Sequence, residues 1–156
     1  DDLTGQYACH QWDSANKVIR RFQIKNRLKS VFSGKFFNIR ITCGTGGPGG
    51  SGIRHFWNAG SGQNHQSDIN NVVSKYLGHG INKEQILDNI VVPAIKSGYQ
   101  IYLPGSYQIL IMAWEGFFDF DTSGRILGCG MVQLKIFIRA SDMTMKSAFP
   151  VANSVC

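Results

Sequence analysis

Nine cations stand between Ser14 and Ser67, at Lys17, Arg20, Arg21, Lys25, Arg27, Lys29, Lys35, Arg40 and Arg54, and no Asp or Glu interrupts them. The whole chain carries 16 Lys and Arg against 10 Asp and Glu, a formal net charge of +6. A surface of that sign favours polyanionic partners or simply keeps a protein in solution. Lys and Arg neutralise phosphates, and Phe22, Phe32, Phe36, His55, Phe56 and Trp57 in the same stretch could stack on bases. The candidate RNA- or partner-binding residues are therefore Lys17, Arg20, Arg21, Lys25, Arg27 and Lys29. The competing reading is a solvated face whose aromatic neighbours serve a core.

Acid and base chemistry has less to work with. Of His10, His55, His65 and His79, the last three fall in Gly-, Ser- or Asn-rich stretches, where an exposed and idle imidazole is common. Glu84 and Glu115 are the two glutamates, so paired-carboxylate chemistry would draw on Glu115 with Asp119 or Asp121, and those aspartates read as turn residues. Gly44, Gly46 and Gly49 match the dinucleotide fingerprint after a predicted strand, with Asp68 downstream for a ribose. Residues 51–58 show no helical stripe to face a pyrophosphate, and Pro48 disrupts the turn, so no cofactor is expected. Cys9, Cys43, Cys129 and Cys156 form no C-x-x-C pair and have no His at zinc-ligand spacing, which leaves no metal site and makes disulfides the better reading. Cys9 near the start and Cys156 at the end would tie two fraying termini, leaving Cys43 to Cys129; four buried thiols are the alternative.

The elements that must position these groups follow from periodicity. Asp13 or Ser14 can cap a helix with Ala15, Val18, Ile19 and Phe22 on one face and Lys17, Arg20 and Arg21 turned to water. Residues 36–42 alternate Phe37, Ile39 and Ile41 against Asn38 and Arg40, a half-buried strand. The glycine-rich run 44–52 reads as a flexible loop. Ile69, Val72, Val73, Tyr76 and Leu77 mark a helix capped by Ser67 and ended by Gly78. Asn82 and Gln85 open a second one, carrying Ile86, Leu87, Ile90 and Val91, that Pro93 kinks or stops. Strand composition follows at 99–103, 107–114, 116–121 and 126–139, with turns at Pro104-Gly105 and from Asp121 to Gly124. Helices grouped before hairpin-connected strands indicate one α+β domain over 1–156, with helices packed on a C-terminal antiparallel sheet. The apolar runs are too interrupted for a membrane-spanning helix. The start at Asp1-Asp2, without Met or an apolar leader, fits a secreted product freed of its signal peptide, or a chain trimmed at its start.

Tyr7-Ala8-Cys9, followed by the predicted helix and by a strand-rich half closing on Cys156, resembles the ribonuclease-like secreted effectors of powdery mildew fungi, which carry a Tyr/Phe/Trp-x-Cys motif there. The stretch from Phe118 to Val132 (FDFDTSGRILGCGMV) is similar to the strand, turn, strand unit of microbial guanyl-specific ribonucleases. The resemblance covers both ends and not the middle, from the glycine loop to about Ile95. It implies a ribonuclease-like sheet, but the catalytic positions depart from the pattern. Tyr102-Leu103-Pro104 lacks the base carboxylate, the strand at Gly116 to Phe120 lacks the phosphate-binding arginine, and Gln133 stands where the acid histidine would fall. Leu and Gln can neither take nor give the protons of transesterification. The resemblance thus implies a catalytically inactive, monomeric virulence effector delivered into the plant cell, binding host RNA or a host protein and open to recognition by a plant immune receptor. The rivals are an active ribonuclease using Glu115 with His55 or His79, and a secreted structural or adhesive subunit unrelated to ribonucleases.

Overall fold

The computed structural model describes residue 9 and residues 12–46, 49–57, 87–120 and 126–153. Strict alternation places Phe37, Ile39 and Ile41 of one strand (Phe36–Thr42) in the core and leaves Phe36 and Asn38 outside. Its antiparallel neighbour is the segment expected to be helical: Val18–Lys25 is a strand, β1, paired with Phe36–Thr42, β2, through Phe22 opposite Ile39 and Ile24 opposite Phe37. An irregularity in the ladder between Val18 and Arg20 accompanies burial of both Ile19 and Arg20. Arg20 therefore shares the inner face with Phe22 and Ile24, and only Arg21, Gln23 and Lys25 face water.

Four further strands form a meander: β3 (Tyr99–Leu103), β4 (Gln108–Phe120), β5 (Ile126–Arg139) and β6 (Thr144–Asn153), each antiparallel to the next. The turn expected at Pro104-Gly105 links β3 to β4. The two strands expected at 107–114 and 116–121 are one, running through Gly116, and β6 had no sequence signal. β6 joins β2 in parallel, with Arg40 opposite Thr144 and the Arg40 amide donating to Met143 O at 3.0 Å. The result is a six-stranded mixed sheet, in the order β1-β2-β6-β5-β4-β3.

One side chain of the edge strand β3 reaches the chain at the end of the other edge strand, β1. Gln100 of β3, only 4% exposed, donates from Nε2 to Lys25 O at 2.7 Å and accepts the Arg27 amide on Oε1 at 2.9 Å. One side chain thus satisfies the carbonyl at the end of β1 and an amide just past it. Inside lie Ile109 and Ile111, Leu134, Ile136 and Ile138, and Met145 and Ala148, an aliphatic core worth about 1.5–3 kcal/mol per large side chain buried.

The protein is α+β, but among the described residues the helices do not form a layer on a C-terminal sheet. They are short, and they contact both halves of the mixed sheet: α1 (Gly52–Trp57) meets β2 and β6, while α2 (Val92–Ser97) meets β1 and β4. A π-helical turn, Leu87–Val91, leads into α2. Pro93 does not stop the helix, which passes from the π-helical turn into α2 just before it. The proline sits in the first turn of α2, where a missing N–H leaves no bond unmade. Gly98 ends α2, and a Cβ there would collide with Ile111 Cγ2 and Ala94 O. The helix expected at 67–78, the start of the next one at 82–86, and the turn at 121–124 lie outside the described residues, although Phe120 of β4 does meet Ile126 of β5. Among the described residues no helix is long and apolar enough to cross a membrane.

The described residues of the glycine run are more ordered than its composition suggests. Thr45 and Ser51 exchange two backbone hydrogen bonds of 2.9 Å, and Gly44, at a φ of 66°, packs so closely on the Ser51 backbone that no Cβ would fit. A helix, α1, does follow the run, contrary to the absence of a stripe. Its Arg54 donates to Gly44 O at 3.1 Å and to Asp13 O at 2.9 Å, so this cation serves the fold.

Cys43, just past β2 and fully buried, is bonded to Cys9 across 34 residues, with 5.6 Å between their Cα atoms. This overturns both expected pairs, Cys9 with Cys156 and Cys43 with Cys129. The hairpin brings the segment before β1 against the end of β2, with the Cys43 amide donating to Lys17 O at 2.9 Å. Proximity in the fold, not position at the termini, chose the partner. Cys129 lies in β5 opposite Phe118, and Cys156 lies outside the described residues. Non-reducing peptide mapping should return Cys9 joined to Cys43; a Cys9–Cys156 peptide would contradict the structure.

Candidate nucleic-acid interface

The segment between β1 and β2 is built around one buried amide. Asn26 is 2% exposed and donates from Nδ2 to Phe32 O and Gly34 O, both at 3.0 Å. Its Oδ1 accepts the Leu28 amide at 2.7 Å, and its own amide donates to Lys35 O at 2.9 Å. Phe32 anchors the loop, edge-on to Phe37 at 5.5 Å and to Tyr102 at 5.1 Å between ring centroids. With its backbone fixed from within, the loop turns its charged side chains outward.

Lys25, Asn26, Arg27, Lys29, Ser30, Lys35 and Phe36 line a cleft of about 630 Å³ at this end of the hairpin. Four of the seven are cations, and no carboxylate or imidazole is among the described lining. Arg27 is held from both ends, its amide by Gln100 and its Nη1 by Gly98 O at 3.1 Å, so its guanidinium is fixed at the rim. Among the described residues Lys25, Lys29 and Lys35 take part in no ion pair. Phe36 is 52% exposed beside them and opposite Lys25 in the ladder. An exposed ring amid several unpaired cations is equipped to stack a base while phosphates are neutralised.

The structure thus gathers Lys25, Arg27 and Lys29 of the six candidates and disperses the other three. Lys17 precedes β1 and pairs with Asp13 at 3.1 Å. Arg21 is exposed on the outer face of β1. Arg20, expected in water, is buried at 3% exposure, with Nε on Asp88 Oδ1 at 2.7 Å, Nη2 on Oδ2 at 2.9 Å and Nη1 on Ile19 O at 2.7 Å. Sequence reasoning named Phe36 among the aromatics able to stack and Lys35 among the nine cations, but neither among the binding residues; only the hairpin sets Phe36 opposite Lys25 and Lys35 next to it. Phe22 and Phe32 serve the interior, Phe22 lying under the Lys96 ammonium at 5.5 Å. His55 lies in α1, half-buried, while the side chains of Phe56, Trp57 and Glu115, with His65 and His79, lie outside the described residues.

A second charged group lies where β2 meets β6. Asp142 accepts from Arg139 at 3.0 and 3.3 Å and from the Thr144 amide at 3.2 Å, with Arg40 Nη2 at 3.5 Å. Burial pushes the Asp142 carboxyl up, but the hydrogen bond and charge of Arg139 and the bonds from Thr144 outweigh it and hold the group below its ordinary 3.8. Its contribution to stability is complete above that ordinary value and is lost as the pH falls through the lower folded one.

No protein-family model, curated protein or solved structure matches the chain.

Proposed function

We propose that the protein binds single-stranded RNA in the basic cleft at the tip of the β1–β2 hairpin and does not cleave it. The observation that carries this reading is the convergence of Lys25, Arg27, Lys29 and Lys35 on one cleft beside the exposed Phe36. The described lining holds no carboxylate or imidazole to take a 2′-OH proton or to protonate a leaving oxygen. The Cys9–Cys43 bond suits an oxidising compartment and supports secretion. The two ends of the stretch from Phe118 to Val132 fall on the antiparallel β4–β5 pair, in keeping with a ribonuclease-like sheet. On this reading the protein is a secreted effector of a plant-infecting fungus, working in the host cell as a ribonuclease-shaped monomer without cofactor.

The test is fluorescence anisotropy with a labelled single-stranded RNA over a salt series. Three to four neutralised phosphates give a slope of log K against log salt of about −2 to −3. Reversing Lys25, Lys29 and Lys35 together to Glu should abolish binding and leave the circular dichroism spectrum unchanged, since all three are exposed. Affinity indifferent to salt, or undiminished in the reversed protein, would point instead to a host protein as the partner. Shortened RNA would restore the active ribonuclease.

A further inference from the structure

The outer face of β1 and β2 continues the cleft. Its cross-strand rows are Lys25 with Phe36, Gln23 with Asn38, and Arg21 with Arg40, all exposed except the half-buried Arg40. The middle row is neutral and tied, Gln23 Nε2 donating to Asn38 Oδ1 at 2.8 Å. The last row sets two arginines opposite each other in the ladder, and like charges so paired cost stability unless a negative charge lies near them. Arg40 is partly served by Thr144 Oγ1 at 3.2 Å and by Asp142, whose closer contacts go to Arg139. Arg21 has no ion pair among the described residues.

We infer that the ligand is an extended strand whose phosphates occupy both ends of this face, one in the cleft and another at Arg21 and Arg40. Rows on one face of a strand lie about 7 Å apart, so Arg21 stands about 13 Å from Lys25. Successive phosphates of an extended single strand are spaced much like successive rows. A mononucleotide reaches one end only, whereas a strand with three or more successive phosphates laid along β1 reaches both. β1 is an edge strand, and these exposed rows leave its outer face open along that path. The inference rests on the cleft reading and adds to it a direction, a minimum length and a second anion position.

Anisotropy with labelled oligouridylates of two, four and eight nucleotides tests it on the full chain. Affinity should rise about tenfold or more from two to eight, beyond what the cleft alone provides. Arg21→Gln should weaken the octamer several-fold and flatten its salt slope by about 0.7, one phosphate's share, while leaving the dinucleotide unchanged. Arg21→Lys should restore most of the loss. Equal affinity for all three lengths, or an octamer curve unmoved by Arg21→Gln, overturns the track and leaves the cleft standing. Octamer binding that survives Lys25→Glu with Lys35→Glu removes the cleft itself.

Discussion

Arg20→Glu is expected to unfold the protein or bring it close to unfolding, while Arg21→Glu, one residue along, leaves its stability within about 0.5 kcal/mol of the original. The two arginines differ in which side of β1 they occupy. Arg20 points inward among Ile19, Phe22 and Ile24, and three of its guanidinium donors are spent on Asp88 and on Ile19 O. A glutamate there loses all three bonds and sets a second carboxylate against Asp88, the kind of change that costs about 3–5 kcal/mol. Small domains have about 5–15 kcal/mol in all. Arg20→Met separates charge from packing. Asp88 keeps 38% of its side-chain surface in water and can be hydrated when left alone, so this variant should lose only about 1–2 kcal/mol. Urea unfolding followed by circular dichroism gives the three values. A midpoint for Arg20→Glu equal to that of Arg21→Glu would mean that the ion pair with Asp88 holds nothing together. Charge clustering alone suggests reversing Arg20, Arg21 and Lys25 together to abolish RNA binding with the fold intact. The structure changes that expectation: such a protein would lose binding by losing its fold.

Arg20 also explains why β1 was not legible in the sequence. Ala15, Val18, Ile19 and Phe22 satisfy a helical spacing, and a charged residue on the inner face spoils the alternation that Phe22, Gln23, Ile24 and Lys25 display by themselves. Asp88, which makes the burial tolerable, is 68 residues away. β2 was legible because nothing breaks its alternation. Glu115 read as a turn between two strands, yet the thirteen residues of β4 pass through it because β5 continues to pair on both sides. The cations of the cleft were visible as composition, but their convergence was not. It depends on the hairpin setting Phe36 opposite Lys25, and on Asn26 and Gln100, two uncharged residues that no motif singles out.

Asn26 gives the second large effect, and it links fold to function without touching a charge. Asn26→Ala removes the partner of Phe32 O, Gly34 O and the Leu28 amide at once, inside a site that is 2% exposed. Buried polar groups left unpaired cost about 1–3 kcal/mol each, and partial hydration of a surface loop softens this, so a loss of about 2–4 kcal/mol is expected. Asn26→Asp has nearly the same shape but turns an acceptor toward two carbonyl oxygens and buries a charge. It should do at least as much damage, which shows that the donors and not the volume matter. The rest of the sheet keeps its own ladders, so the injury stays local: hydrogen exchange should quicken for the amides of Leu28 and Phe32 before those of β4 and β5. Lys29 and Lys35 remain in the chain, but their loop must now be ordered when RNA arrives, and that cost is subtracted from affinity. Well below the melting temperature, RNA binding by Asn26→Ala should be weaker by about tenfold, with a salt slope near that of the unaltered protein, because the number of phosphates neutralised has not changed. A weaker affinity with an equally reduced slope would instead mean that the cations themselves have left the interface. An Asn26→Ala protein with unchanged melting and unchanged affinity would show that the cleft does not depend on this amide.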